Sequence, residues 1–218
     1  EPIGNGRYSD ITVFSFHPVK IITTAEGGMA LTNDDELASR LGLLRSHGIT
    51  RDPALMTDPM DGPWYYQQVM LGYNYRMTDM QAALGVSQMT RLPQYVARRH
   101  EIARRYNELL ADLPLTLPWQ HSDSYSAYHL YVIRLQLEKV SATHLQVFEA
   151  LRAKDIMVNL HYIPVHTQPY YREMGFKAGQ FPEAERYYSE AISIPMYPTM
   201  TEAQQDQIVE ALRQITQA

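Results

Sequence analysis

A lysine follows the first apolar stretch of the chain, at the end of the segment Ser15-Phe-His-Pro-Val-Lys20. Asp10–Phe16 is β-branched and aromatic, which predicts a strand, and Gly28–Thr32 predicts a second strand that can pair with it as a hairpin. Desolvation at the end of a buried strand makes a lysine amine nucleophilic, so that it can form a Schiff base with a carbonyl cofactor. The Ser15 hydroxyl and the N–H groups near Gly27 can bind a phosphate. A surface lysine without a function fits the same pattern.

A second polar segment, Gly72–Asp79, lies between a long loop and the start of a helix. Thr78 and Gln81 have the spacing of a capping box, which predicts that the helix begins there. The side chains of Asn74 and Arg76, placed just before free helix N–H groups, suit an anion. The alternative interpretation is helix capping combined with aromatic packing.

Two histidines, His161 and His166, lie five residues apart in a segment rich in proline and tyrosine. Pro164 between them prevents the one-face helical spacing of a zinc motif, and no third ligand is evident nearby, so we predict no metal site. A polar, aromatic loop that lines a pocket is the favoured interpretation. A loop that packs on its own tyrosine rings is the alternative.

The first half of the chain must supply the elements that position these residues. Asn33 or Asp34 can cap a helix that runs to about Ser46. Residues 49–71 contain four proline or glycine residues and no clear period, which predicts a long loop. Pro93 should start a new helix or kink a long one.

The second half alternates strands and helices, which predicts a small α/β layer domain. The predicted elements are a strand at Tyr128–Leu135, a helix capped by Ser141, a strand at Ile156–Leu160, a helix from Pro182 to Glu190, a strand at Ile192–Ile194, and a helix capped by Thr201 with Gln204.

Composition excludes several function classes. The chain has 19 Lys and Arg against 24 Asp and Glu, a net charge of −5, which gives no support to a nucleic-acid partner. The absence of cysteine excludes disulfides, thiolate metal sites and cysteine nucleophiles. No run approaches the ~18 apolar residues of a membrane span, and no signal-peptide pattern is present, so we expect a cytoplasmic protein.

Three segments in this order, Phe14–Gly28, Arg45–Ile49 and Gly72–Asp79, resemble the DegT/DnrJ/StrS family of nucleotide-sugar aminotransferases, which depend on pyridoxal phosphate (PLP). The resemblance covers nearly the whole chain. It implies a fold-type I PLP-dependent transferase of the α/β class that acts as an obligate homodimer with shared active sites. Residues 1–92 would then form the C-terminal part of the large PLP-binding domain, and residues 93–218 the small α/β domain.

The resemblance also implies roles for individual residues. Lys20 matches the lysine that holds the cofactor as a Schiff base and moves the proton between two carbons. Ser15 matches a phosphate contact, and Asn74 matches an asparagine that reaches the phosphate of the neighbouring subunit's cofactor. Four further residues match family positions near the substrate: His17, Arg76, His161 and His166.

The segment His161–Tyr171 most resembles the branch of the family that aminates C4 of a UDP-linked 4-keto-6-deoxy-N-acetylhexosamine, on the route to pseudaminic acid. Glutamate would be the amino donor. One alternative is a PLP-dependent sugar dehydratase of the same family, but such relatives commonly have histidine in place of the lysine, so Lys20 favours amination. The other is a non-catalytic fragment that keeps only the dimer surface.

The resemblance further implies that part of the site lies upstream of this chain. In the family, an Asp that binds the pyridine nitrogen, a ring-stacking aromatic residue and a Gly-Thr phosphate loop precede the lysine by many residues. Only 19 residues precede Lys20 here. We therefore expect the chain to be the C-terminal portion of the enzyme, without transaminase activity by itself.

Overall fold

The computed structural model describes residues 1–217. These residues form two compact units that divide between Leu92 and Pro93. The assignment of residues 1–92 to a cofactor-binding domain, and of the remainder to a small domain, stays a prediction.

The first unit begins with a β-hairpin. Strand β1 (Thr12–Ser15) pairs antiparallel with β2 (Gly28–Leu31), and Ser15 lies opposite Gly28. Gly28 has to lack a side chain, since a Cβ there would lie 2.8 Å from the carbonyl oxygen of Phe14. The predicted hairpin is confirmed.

Two helices and a short ladder complete the first unit. Helix α1 (Asp35–Leu44) is capped by Asp34, one of the two predicted caps. Strands β3 (Ile49–Thr50) and β4 (Gln67–Gln68) pair antiparallel, so the long loop predicted over residues 49–71 is interrupted by a short ladder near both of its ends. Helix α2 (Asp79–Met89) begins with the predicted capping box.

The apolar faces of the first unit remain at least partly exposed. All of residues 1–92 are described, and no apolar side chain among them is fully buried. Leu37 and Leu41, on the predicted apolar stripe of α1, are half-buried, and Val13 of β1 is 75% exposed. The first unit therefore lacks a hydrophobic core of its own.

The second unit is built around an antiparallel sheet. Helix α3 (Leu92–Leu109) has Pro93 in its first turn and is separate from α2, as predicted for a new helix. Strands β5 (Leu115–Thr116), β6 (Tyr131–Leu135) and β7 (Ala191–Ile194) follow, in the sheet order β5-β6-β7. Strand β6 is shorter than predicted because Tyr128 has a φ of +46°, which no strand residue adopts.

Helices flank this sheet. They are α4 (His144–Arg152), α5 (Pro169–Glu173) after a 3₁₀ turn at Val165–Thr167, α6 (Pro182–Glu190) and α7 (Glu202–Thr216). The predicted α6, β7 and α7 are confirmed, including the Thr201 cap.

Two predictions for the second unit are wrong. Thr143, rather than Ser141, caps α4, because Thr143 is followed three residues later by Gln146 and forms a capping box with it. The segment Ile156–Leu160 makes only a single bridge, between Asn159 and Ser193, instead of a strand.

The hydrophobic core of the chain lies in the second unit. Ile102, Tyr106, Ile133, Leu151 and Leu212 are completely buried there, and they come from α3, β6, α4 and α7. Within the part of the chain that the structure describes, no helix combines the length and the apolar character needed to cross a membrane.

Candidate active site

The turn that carries Lys20 is closed by backbone hydrogen bonds. The N–H of Phe16 donates to the carbonyl of Gly27 at 2.8 Å, and the N–H of Thr24 donates to the carbonyl of Phe16 at 3.0 Å. The N–H of Lys20 donates to the carbonyl of His17 at 2.9 Å. These bonds continue the hairpin beyond β1 and β2, so the backbone of Lys20 is held in a defined place.

The Lys20 side chain is half-buried, and among residues 1–217 its Nζ has neither a hydrogen bond nor an ion pair. Ser15 ends β1 on the same hairpin with an exposed side chain. An unpaired amine close in sequence to an available hydroxyl fits a cofactor that has a carbonyl carbon and a phosphate. These two residues of the chain would therefore suit PLP.

His17 lies in the same turn and faces a carboxylate. Its Nε2 is 3.9 Å from Oε1 of Glu26, and both side chains are largely exposed. At that distance the contact is at most a weak, solvent-screened ion pair. The backbone N–H of Val19 donates to Nδ1 of His17 at 3.4 Å, so Nε2 is the ring nitrogen that remains available to a ligand.

The segment that carries Asn74 is held by the end of α1. The N–H of Tyr73 donates to the carbonyl of Leu44 at 2.7 Å, and the N–H of Tyr75 donates to the carbonyl of Arg45 at 2.9 Å. The rings of Tyr73 and Tyr75 stack with centroids 5.0 Å apart. The aromatic packing offered as the alternative interpretation is therefore present.

Asn74 itself lies between these two tyrosines, and Arg76 follows just before α2. Both side chains are exposed, and neither has a hydrogen bond or ion pair within residues 1–217. An unpaired guanidinium and an unpaired amide beside a helix N-terminus can bind an anion. The packing of the tyrosines and an anion-binding role for Asn74 and Arg76 are thus compatible.

The two predicted histidines lie in the second unit, and each is held by a partner there. Nδ1 of His161 is 2.7 Å from the hydroxyl oxygen of Ser193. His166 is buried, its Nε2 lies 2.8 Å from Oε1 of Glu185, and its ring packs against Phe181. Among residues 1–217, no group of three His, Asp or Glu residues is placed to hold a metal ion.

Glu185 is a residue that the sequence analysis missed. Its Oε1 accepts a hydrogen bond from the backbone N–H of Gly179 at 2.6 Å in addition to the contact with His166. Nothing in the spacing of His166 and Glu185 indicates this pair, because it forms only when α6 folds against the 3₁₀ turn. The hydrogen bond with His166, followed by that from Gly179, holds the pKa of Glu185 below its ordinary value.

The lowered pKa gives a pH-dependent prediction. Since the pKa of Glu185 is lower in the folded than in the unfolded protein, its carboxylate stabilises the fold above the unfolded value of about 4.3, and this contribution is lost as the pH falls through the folded value. Glu185→Gln should therefore lower the thermal unfolding midpoint near neutral pH. The difference from the unsubstituted protein should shrink in acid.

The matched control for this prediction is Glu183→Gln, in the same first turn of α6. Glu183 is 79% exposed and pairs only with Arg186, so its replacement should leave the midpoint nearly unchanged. Thermal unfolding followed by circular dichroism at several pH values measures both variants. A Glu185→Gln effect that stays the same from neutral pH to about pH 3 would contradict the expectation.

Comparisons with protein families and with curated proteins both point to sugar and polysaccharide biosynthesis enzymes of one family. The model of the DegT/DnrJ/EryC1/StrS aminotransferase family matches residues 3–213. The chain is 39% identical over 213 residues to the spore coat polysaccharide biosynthesis protein SpsC of Bacillus subtilis (strain 168). This alignment covers 96% of the chain and 54% of SpsC. The chain thus spans about half the length of the curated relatives that it matches.

Solved structures agree with that match. Helicobacter pylori PseC, an aminotransferase involved in the biosynthesis of pseudoaminic acid, has a TM-score of 0.86 at 28% identity, covering 96% of this chain and 54% of PseC. The Streptococcus pneumoniae protein Spr1654, described as a sugar aminotransferase and solved in a PLP form, has a TM-score of 0.85 at 29% identity, covering 98% of this chain and 53% of Spr1654. The predicted fold class is confirmed.

Proposed function

Because this chain belongs to the DegT/DnrJ/EryC1/StrS aminotransferase family, we propose that the protein containing it is a PLP-dependent sugar aminotransferase. It takes an amino group from glutamate and transfers it to C4 of a UDP-linked 4-keto-6-deoxy-N-acetylhexosamine. The observation that carries the proposal is the half-buried amine of Lys20, which has no partner among the described residues and lies on a closed turn. The similarity to PseC supports the class of sugar.

PLP, when bound, supplies an aldehyde carbon for attachment and an electron sink for the carbanion. Lys20 would be the attachment point for PLP, and its Nζ would also take up and return the proton that moves between two carbons. Ser15 would bind the phosphate of its own subunit's PLP, and Asn74 that of the PLP in the partner subunit. The amide of Asn74 donates hydrogen bonds to phosphate oxygens without adding charge.

The remaining predicted residues act on the substrate. Arg76 is an exposed, unpaired cation beside the N-terminus of α2, which suits the diphosphate of a UDP-sugar. We assign substrate binding to His17 in the first unit and, separately, to His161 and His166 in the second. Nε2 of His166 faces Glu185, which leaves Nδ1 of His166 for the substrate. The protein acts as a homodimer in the cytoplasm.

The test is amino transfer by the full-length protein, supplied with PLP, glutamate and the UDP-linked keto sugar. One 2-oxoglutarate should appear for each amino sugar, and NMR of the product should place the amine at C4. A control reaction without glutamate should give at most one amino sugar for each cofactor molecule bound to the enzyme. A product that has lost water without gaining nitrogen would indicate the dehydratase instead. If no product forms, both the aminotransferase and the dehydratase assignments are contradicted.

A further inference from the structure

Three helices of the chain begin with the same cap, in which a threonine is followed three positions later by a glutamine: Thr78 with Gln81, Thr143 with Gln146, and Thr201 with Gln204. In each cap the glutamine Oε1 accepts a hydrogen bond from the threonine N–H, at 3.0, 2.8 and 2.9 Å respectively. The threonine hydroxyl accepts in return from the glutamine N–H. As helix caps, the three glutamines are equivalent.

Gln81 differs from the other two in what its amide nitrogen does. The Nε2 of Gln81 donates a hydrogen bond to the carbonyl oxygen of Glu26 at 3.1 Å, across 55 positions of sequence. Within residues 1–217, the Nε2 atoms of Gln146 and Gln204 donate no hydrogen bond. The second contact of Gln81 is therefore additional to helix capping.

The Gln81–Glu26 hydrogen bond is itself exposed, but the turn beside it packs closely against α2. Thr24 is 2% exposed, and a Cβ added at Gly85 of α2 would lie 2.9 Å from its methyl group. A Cβ added at Gly27 would lie 2.7 Å from the terminal methyl of Met77, just before α2. Such close approach leaves the turn at residues 16–27 little room to move relative to α2.

Glu26 belongs to the turn that carries Lys20. Its carbonyl oxygen also accepts a hydrogen bond from the Thr24 hydroxyl at 2.7 Å, so both lone pairs of that oxygen have a donor. The same turn is closed at Phe16 by two backbone hydrogen bonds. Gln81 thus attaches one end of the Lys20 turn to the first turn of α2.

We propose that Gln81 is a positioning residue, which holds the Lys20 turn against α2 through the carbonyl of Glu26. The effect on catalysis rests on the proposed function, because it requires Lys20 to bind the cofactor. The structural part of the inference requires only that this hydrogen bond restrains the turn.

Gln81→Glu separates the two contacts of Gln81. Glutamate forms a capping box as well as glutamine does, so α2 keeps its cap. A carboxylate has no N–H, and its oxygen would face the carbonyl oxygen of Glu26 without a donor between them. Gln146→Glu is the matched control, because it makes the same chemical change in a cap whose amide nitrogen has no partner among the described residues.

Hydrogen–deuterium exchange of the full-length protein without cofactor tests the structural part. Loss of one hydrogen bond predicts about five- to tenfold faster exchange of the Phe16, Lys20 and Thr24 amides in Gln81→Glu. Exchange of the same amides in Gln146→Glu should match the unsubstituted protein. Equal exchange in both variants would overturn the inference whether or not the protein is an aminotransferase.

Attachment of PLP tests the positioning role. Borohydride reduction followed by mass spectrometry gives the rate at which added PLP becomes linked to Lys20, independently of turnover. This rate and kcat are both measured in about 1 M salt, which screens the added carboxylate from the cofactor phosphate. We expect the attachment rate and kcat to fall about five- to tenfold in Gln81→Glu, with the unfolding midpoint within a few degrees of that of Gln146→Glu. Faster amide exchange with unchanged attachment and kcat would overturn the positioning role.

If the unsubstituted protein itself links no PLP at Lys20, the proposed function fails, and the catalytic part of the inference fails with it. The exchange experiment still decides the structural part in that case, since it uses no cofactor. The two failures are therefore distinguishable.

Discussion

Replacement of Lys20 by alanine is expected to remove the visible absorbance of PLP bound to the full-length protein and to lower amino transfer by roughly 10³-fold or more. Alanine provides no amine to attach the cofactor or to move the proton. The backbone hydrogen bond from Lys20 to His17 does not need the side chain, and the Nζ has no partner within residues 1–217. The variant should therefore fold normally.

Two controls accompany this variant. Lys20→Arg keeps the positive charge but not the nucleophilic amine, so it should be as inactive as Lys20→Ala. Lys177→Ala removes an exposed lysine of the second unit and should leave absorbance and activity unchanged. Visible spectra and the glutamate-dependent assay measure all three. Normal turnover by Lys20→Ala would refute the assignment of Lys20.

Recovery of activity in mixed dimers is the second large expected effect. Full-length Lys20→Ala and Asn74→Asp should each be inactive as homodimers, because the first lacks the amine and the second places a negative charge next to the phosphate. If Asn74 serves the partner's cofactor, one site of a mixed dimer carries both changes and the other carries neither. Up to half of the sites in each mixed dimer should then work.

Co-expression with two different affinity tags isolates the mixed dimers, and the amino-transfer assay measures their activity. Co-expressed Lys20→Ala carrying the two tags is the control, and it should show no activity in any pairing. If folded mixed dimers recover nothing, Asn74 acts within its own subunit. In that case the bridge that its backbone makes with Ser46, and not a partner's cofactor, would explain its position.

Local signals along the chain predicted much of the secondary structure. The caps at Thr78 and Thr201 and the proline that opens α6 each combine a residue type with a fixed spacing, and each was found where expected. The predicted Ser141 cap of α4 is wrong because it depends on residue type alone. The spacing of Thr143 and Gln146 satisfies the stronger rule.

Long-range pairing could not be predicted in the same way. Ile156–Leu160 has the composition of a strand, but only Asn159 finds a partner backbone, at Ser193. Likewise, β3 and β4 are two residues each and are defined only by each other. Short segments of this kind depend on which neighbour the fold supplies, and a single sequence does not record that.

In the candidate site, too, local features could be predicted and long-range contacts could not. The sequence predicted Lys20, Asn74 and Arg76 from residue type and position, and the structure leaves their side chains without partners among residues 1–217. No sequence pattern indicates that Glu185 contacts His166 or that Glu26 contacts Gln81, because these contacts join residues 19 and 55 positions apart. Side-chain contacts between separate elements require the packed structure.

The location of the buried core also determines where this chain tolerates substitution. Truncating a buried side chain such as Ile133 or Leu212 leaves a cavity, at a cost of about 2–5 kcal/mol. Within this chain, an exposed apolar residue such as Val13 leaves none. Random mutagenesis scored only by solubility would thus deplete core positions after residue 100 and spare exposed positions of the first unit such as Val13, whereas Thr24 and Gly28 beside Lys20 would not accept larger side chains.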